Sequence, residues 1–245
     1  MNPGTDPIRE PVPSGGPTSR GGKWQTIILR AGLFLLLVVL GQLIFPLPFL
    51  GLGAYFMAAA VSTFLSGLIA NLLVVRIYEK FSPLDLGLRW NPASKKNLLY
   101  GLGIGGGAGL AVVALLIATQ GAFLERAANP FDLKSFAFVA VLLAMGAAGE
   151  EFMFRGYGFQ FLGSQVGDYA TLLPIGILFG LAHSGNKDMT TLALVNTIAW
   201  GIALGYAFLR SRDLWLPIGM HYAWNLILVV FGAELSGFTM RVTGL

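Results

Sequence analysis

The sequence predicts an all-α protein built as a polytopic membrane bundle of about seven transmembrane helices. Three observations carry this. Of 245 residues, 55% are hydrophobic and only 11% are charged, with a mean hydropathy of +0.71. Soluble domains carry roughly 25% charged residues, so too few polar groups remain to cover a water-facing surface. The apolar residues also fall into long runs, and those at 52–75, 98–119, 190–209 and 214–232 hold no Asp, Glu, Lys or Arg. A helical span takes about 20 residues, and about seven spans plus loops use up the chain. Finally, the basic residues mostly bracket the runs. The net charge of +4 and pI near 9.5 therefore point to lipid headgroups and topology rather than to nucleic acid. A soluble enzyme and a disordered chain are excluded. With no cysteine there is no disulfide framework, thiolate metal site or cysteine nucleophile.

Taken in order, residues 1–23 hold five prolines and five glycines and read as a disordered tail. Asp6 and Glu10 make it a poor signal-peptide start, so the first apolar run is expected to stay as a helix. Residues 24–245 form one integral-membrane domain, with a catalytic core at about 133–232. The expected spans are 24–45, 52–75, 98–119, 133–162, 169–185, 190–209 and 214–232. The fourth is long and carries Glu150, Glu151 and Arg155; its division into two shorter segments stays open. The stretch 101–109, GLGIGGGAG, formally contains G-x-G-x-x-G. No strand precedes it, so the dinucleotide reading is rejected. Gly101, Gly105 and Gly109, spaced by four, instead let helices approach closely in lipid.

A cytoplasmic N-terminus places eleven basic residues on the cytoplasmic side: Arg9, Arg20, Lys23, Arg76, Lys80, Arg89, Lys95, Lys96, Arg155, Arg210 and Arg212. Four, Arg126, Lys134, Lys187 and Arg241, fall opposite. This bias sets the expected orientation. The expected location is a bacterial plasma membrane.

The chemistry concentrates on few residues. Glu150 and Glu151 sit in GEEFMFRGY among apolar neighbours. Ionisable groups at membrane depth cost about 2.5–3.5 kcal/mol each on insertion scales, so the pair must be neutralised, partnered or metal-bound. Arg155, one turn past Glu151, can pair with it. A structural ion pair would explain Glu151 but not Glu150. The chain has two histidines, and both lie in or at the end of apolar runs. His183 closes ILFGLAH one turn after Phe179. His221 sits in WLPIGMHYAWN one turn before Asn225. Taken singly, each has a bland reading as a structural or interfacial histidine, His221 beside Trp215, Tyr222 and Trp224. Ser184 follows His183, but no Asp–His–Ser spacing accompanies it.

This set supports hydrolysis by activated water along either of two routes. Glu150, His183 and His221 can hold Zn²⁺ with an open position for water, which lowers the water's pKa and polarises a carbonyl. Alternatively, Glu150 acts as a general base without metal, with His183 orienting the water. His221 and Asn225 then donate to the developing oxyanion. The zinc motif H-E-x-x-H is absent, so spacing does not decide between the routes.

At these residues the chain resembles the CPBP intramembrane proteases: the type II CAAX prenyl endopeptidases and their bacterial relatives, including bacteriocin self-immunity proteins. E-E-x-x-x-R corresponds to Glu150, Glu151 and Arg155, F-x-x-x-H to Phe179 and His183, and H-x-x-x-N/D to His221 and Asn225. The loop Asp85–Leu88 resembles a stretch seen upstream of that core. The specific resemblance covers about residues 145–230. It implies a helical membrane endopeptidase, in a family where metal dependence is disputed, acting on a membrane-embedded or membrane-associated protein or peptide. The reaction carries over; the CAAX substrate does not. Two other classes compete. One is a proton-coupled transporter, since membrane carboxylates and histidines also build proton relays. The other is a non-catalytic membrane scaffold or immunity protein.

Simple threading sends His183 to the far side from Glu150 and His221. Convergence requires span four to run on through Arg155, leaving Glu150 at mid-depth, or span five to be tilted or shortened. The first is expected.

Overall fold

The structure is a computed structural model that describes residues 20–125, 131–187, 189–233 and 235. Most of the expected tail, with Arg9, lies outside the described residues, as do Arg126 and Arg241. The described residues form a helical bundle. In order, the elements are α1 (Arg20–Ile44), α2 (Leu47–Leu50), α3 (Tyr55–Tyr78), a 3₁₀ turn (Pro83–Leu86), α4 (Pro92–Ala118), α5 (Leu133–Arg155), α6 (Tyr157–Val166), α7 (Asp168–Ala182), α8 (Thr191–Ser211) and α9 (Trp215–Val230).

Each of the seven apolar runs is helical. Five segments are long and apolar enough to cross a membrane: Lys23–Leu50, Tyr55–Tyr78, Pro92–Ala118, Leu133–Val166 and Thr191–Ser211. The other two, α7 and α9, are shorter, with 15 and 16 residues. Large apolar side chains such as Leu29 and Leu43 on α1, Leu115 on α4 and Leu192 on α8 are exposed. Such a surface would drive association in water and is solvated by lipid tails.

Small residues set the closest helix contacts. A Cβ on Gly101 would strike the Leu216 carbonyl, and one on Gly105 the Met220 carbonyl; one on Gly109 would meet the Ile227 side chain at 3.0 Å. The glycine row of α4 therefore lies directly against α9. Without hydrophobic drive between helices in lipid, such close backbone packing is a main source of association.

The fourth expected span breaks at Gly156, so 133–162 is two helices rather than one. Asn71 of α3 stitches the break. Its amide donates to the carbonyls of Phe152 (2.9 Å) and Gly67 (2.7 Å), and its oxygen accepts the Tyr157 N–H at 2.6 Å. The Phe152 carbonyl and the Tyr157 N–H flank the break, where helical partners are lost, and have no water to turn to in a membrane. A side chain at Gly156 would collide with the Phe152 carbonyl and the Asn71 carboxamide. Gly167, with φ of +101°, then turns the chain from α6 into α7.

Basic residues cluster at one end of the bundle. Lys23 donates to the Gln165 carbonyl, Arg30 pairs with Glu79, Arg212 pairs with Asp168, and the Leu214 N–H donates to the Gly87 carbonyl. Arg155 lies apart from that end of the bundle. Counted by sequence with the cytoplasmic-side basic residues, it is fully buried and pairs with Glu151, as the spacing of the two predicts.

Candidate active site

Three helix ends build the site. The last turns of α5 carry Glu150, Glu151 and Arg155, the cap of α7 is His183, and the second and third turns of α9 carry His221 and Asn225. α5 does run on through Arg155, and α6 carries the chain ten residues farther. The shortness of α7 also matters, although the sequence reading set it aside. At 1.5 Å per residue, its 15 residues rise about 22 Å, short of the roughly 30 Å hydrocarbon core. The helix ends at Ala182 rather than 185, and His183 stops at the level of the other groups.

Glu151 and Arg155 form a closed corner, both fully buried. Arg155 Nη1 lies 3.2 Å from Glu151 Oε1, and Nη2 donates to the Gly201 carbonyl of α8 at 2.5 Å. The guanidinium sits 4.7 Å from the centre of the Phe179 ring. His221 Nδ1 lies 2.9 Å from the same Glu151 oxygen, and a carboxylate there requires Nδ1 to donate. Phe179 is the block around which this corner is set. Its ring is 4.8 Å from that of His183 and 6.0 Å from that of His221.

Glu150 points the other way. His183 Nδ1 is held by the Phe179 carbonyl at 2.7 Å, which must accept, so this nitrogen carries the proton. Both outer nitrogens are thus engaged, and both Nε2 atoms turn to Glu150 Oε2, at 3.5 Å from His183 and 3.7 Å from His221. That oxygen accepts no hydrogen bond among the described residues. Here Glu150, His183 and His221 border a cavity of about 370 Å³, within the range of small-molecule and peptide sites. Asn225 lines it one turn beyond His221, and the Trp200 and Trp224 rings, 4.8 Å apart, form a wall. The cavity extends to Asn186, Lys187 and Met189 in the α7–α8 loop, away from the basic end of the bundle.

The donor types of Glu150, His183 and His221 suit zinc, and an anchored outer nitrogen on each histidine is usual in such sites. Among the described residues, no group of three or more His, Asp or Glu side chains is placed to hold one ion.

The sequence reading missed several residues here. Asn71 was visible as a carboxamide inside a charge-free run, which in lipid demands a partner. Asn196, Thr197 and Trp200 recur at i, i+1 and i+4 and share the cavity face of α8. Trp224, grouped with an interfacial aromatic belt, lines the cavity instead.

A helical membrane bundle with carboxylates and imidazoles converging on an open cavity defines a class, the membrane-embedded enzymes and carriers that work with buried ionisable groups. The comparison with known proteins narrows it. Residues 132–227 match the type II CAAX prenyl endopeptidase Rce1-like family, a stretch that covers nearly all of α5 to α9. Over that stretch the chain is similar to the CPBP intramembrane proteases, and the match indicates a membrane protease. No curated protein and no solved structure matches the chain.

Proposed function

We propose that the chain is an intramembrane endopeptidase in which Glu150 activates the attacking water. The observation that carries this is the convergence of two imidazole Nε2 atoms on one carboxylate oxygen, Glu150 Oε2, at the edge of an open cavity. A structural ion pair would be shut off from solvent, as the fully buried Glu151–Arg155 pair is.

In the reaction, water adds to the carbonyl carbon of the scissile bond as Glu150 takes its proton. His183 orients the water. His221 Nε2 and the Asn225 amide donate to the oxyanion as the carbonyl becomes tetrahedral. With Nδ1–H donating to Glu151, donation from Nε2 requires a cationic ring, and the Glu151 carboxylate favours that state by accepting the Nδ1–H hydrogen bond. Arg155 offsets the charge of Glu151. Collapse breaks the C–N bond, and the Glu150 proton passes to the leaving amine. The new carboxylic acid then yields its proton to the amine, leaving a carboxylate and an ammonium group. The substrate is a polypeptide in or at the membrane. With the basic end in the cytoplasm, the cavity opens toward the opposite face.

The test is purified protein in detergent, incubated with a peptide library derived from a membrane proteome, with cleavage read by mass spectrometry. Glu150→Gln keeps shape but loses the base. Turnover should fall by roughly 10²–10⁴-fold, with an unchanged thermal melt. Full activity in this variant would overturn the proposal, and ion flux without cleavage would favour the transporter reading. Bound metal and chelator sensitivity are measured on the same preparation. Stoichiometric Zn²⁺ with chelator-sensitive cleavage would replace the metal-free route with the one through Glu150, His183 and His221.

A further inference from the structure

A second, smaller cavity of about 80 Å³ lies on the other side of Glu150 and Asn225. Those two residues, with Leu235, line both spaces, and Glu150 and Asn225 form the sill between them. The smaller space has a different character. Phe56 and Ala60 of α3 and Leu143, Gly146 and Ala147 of α5 surround it. The larger cavity is polar along the Asn186, Asn196 and Thr197 edge, whereas here the walls away from Glu150, Asn225 and Thr63 are apolar. Its volume is well below the roughly 300 Å³ of a small-molecule site and suits a single side chain.

Gly146 sets the size of this space. It is one turn before Glu150 on the same face of α5. A Cβ built there meets nothing within 4 Å. Its neighbour in the row, Gly149, is opposite in kind, because a Cβ there would strike the α3 backbone at Thr63 and Phe64. Gly149 is explained by helix packing and Gly146 is not. A mid-helix glycine is less favourable than alanine, and close packing does not require it at 146.

We propose that Gly146 is a specificity-determining residue: the space it leaves open receives one medium-sized apolar side chain of the polypeptide, next to the scissile bond. This rests on the protease reading above. The peptide then lies across the sill, with its bond over Glu150, one flank in the polar cavity and one apolar side chain in the small pocket. Continuity of the two spaces through Glu150 and Asn225 favours a side chain of the substrate itself as occupant over a separate lipid chain.

The test is a cleavage-site profile of the full-length protein in detergent, using the same membrane-proteome peptide library. Wild type should prefer Leu, Met or Ile at one position beside the cut. Gly146→Leu fills the pocket and should lower cleavage at such sites roughly 10–200-fold relative to sites with Gly or Ala there, the scale set by a methylene or two in an apolar pocket. Preferences at other positions should stay. Gly146→Ala adds one methyl into open space and keeps the helix, so it reports in the same direction, more weakly, even if the leucine variant fails to fold. An unchanged profile in a folded Gly146→Leu or Gly146→Ala protein overturns the specificity pocket alone. Absence of any Glu150-dependent cleavage by wild type counts against both this inference and the protease reading.

Discussion

Glu150 and Glu151 are neighbours in the chain and occupy two different regions of the molecule. Glu151 is sealed in a corner with Arg155, His221 and the wall of Phe179, with no solvent exposure. The Glu150 side chain keeps 22% of its surface exposed and borders a cavity. The cause is helical geometry, because consecutive residues point about 100° apart. One carboxylate therefore falls on the seam between α5, α8 and α9, and the next at the edge of the cleft. Identical chemistry is made structural in one place and available in the other by what packs against it. Charge neutralisation fits the same division: Arg155 stabilises Glu151, and the two histidines face Glu150.

The comparison breaks most visibly through Arg155. Removing one partner of a buried ion pair strands the other charge, at a cost of about 3–5 kcal/mol. Arg155→Met should lower the melting temperature sharply, and adding Glu151→Leu should restore much of the loss. Glu150→Gln should leave the melt unchanged. Wild-type stability in Arg155→Met would mean that His221 alone compensates Glu151, and the closed corner would lose its meaning.

The open side is sharpened by Asn225. Asn225→Ala removes a group on the sill without touching the Glu151 corner. Cleavage should fall by roughly 10²–10³-fold if the amide stabilises the oxyanion, while stability changes little. A variant that loses stability rather than rate would move Asn225 to the structural side of the comparison.

The smallest effect lies away from both regions, in the 3₁₀ turn at the basic end. The Arg89 guanidinium, aided by the Ser82 backbone N–H, holds the Asp85 carboxyl below its usual range. Because the folded value is depressed, the stabilisation is fully present above the unfolded pKa of about 3.9. It is lost as pH falls through the lower folded value. Asp85→Asn should cost about 0.2–1 kcal/mol at pH 7 and flatten that acid limb of the stability curve, measured by thermal melts from pH 2 to 7. A melt that matches wild type at every pH would show the turn to be held by the Ser82 cap and by Leu86 packing.

The helices could be read from the chain because lipid leaves the backbone little choice. Runs such as 98–119 and 214–232 must satisfy their own hydrogen bonds, and α4 and α9 do so. The glycine row Gly101, Gly105 and Gly109 was legible for the same reason, since small residues in such a run mark a close neighbour, although not which helix supplies it. The rare ionisable residues of the core stood out against apolar surroundings, and the spacing of Glu151 and Arg155 alone brings them together on one turn. Three features were out of reach. The break at Gly156 depends on Asn71, which lies 85 residues earlier in the chain. The depth of His183 depends on where α7 ends relative to α5 and α9. The difference between Gly146 and Gly149 depends on how α3 lies along α5. Sequence spacing settles what shares a face of one helix, because that geometry is local. Which faces meet, and whether a carboxylate ends at a seam or a cleft, is decided only when the helices pack, because that outcome is a sum over distant contacts.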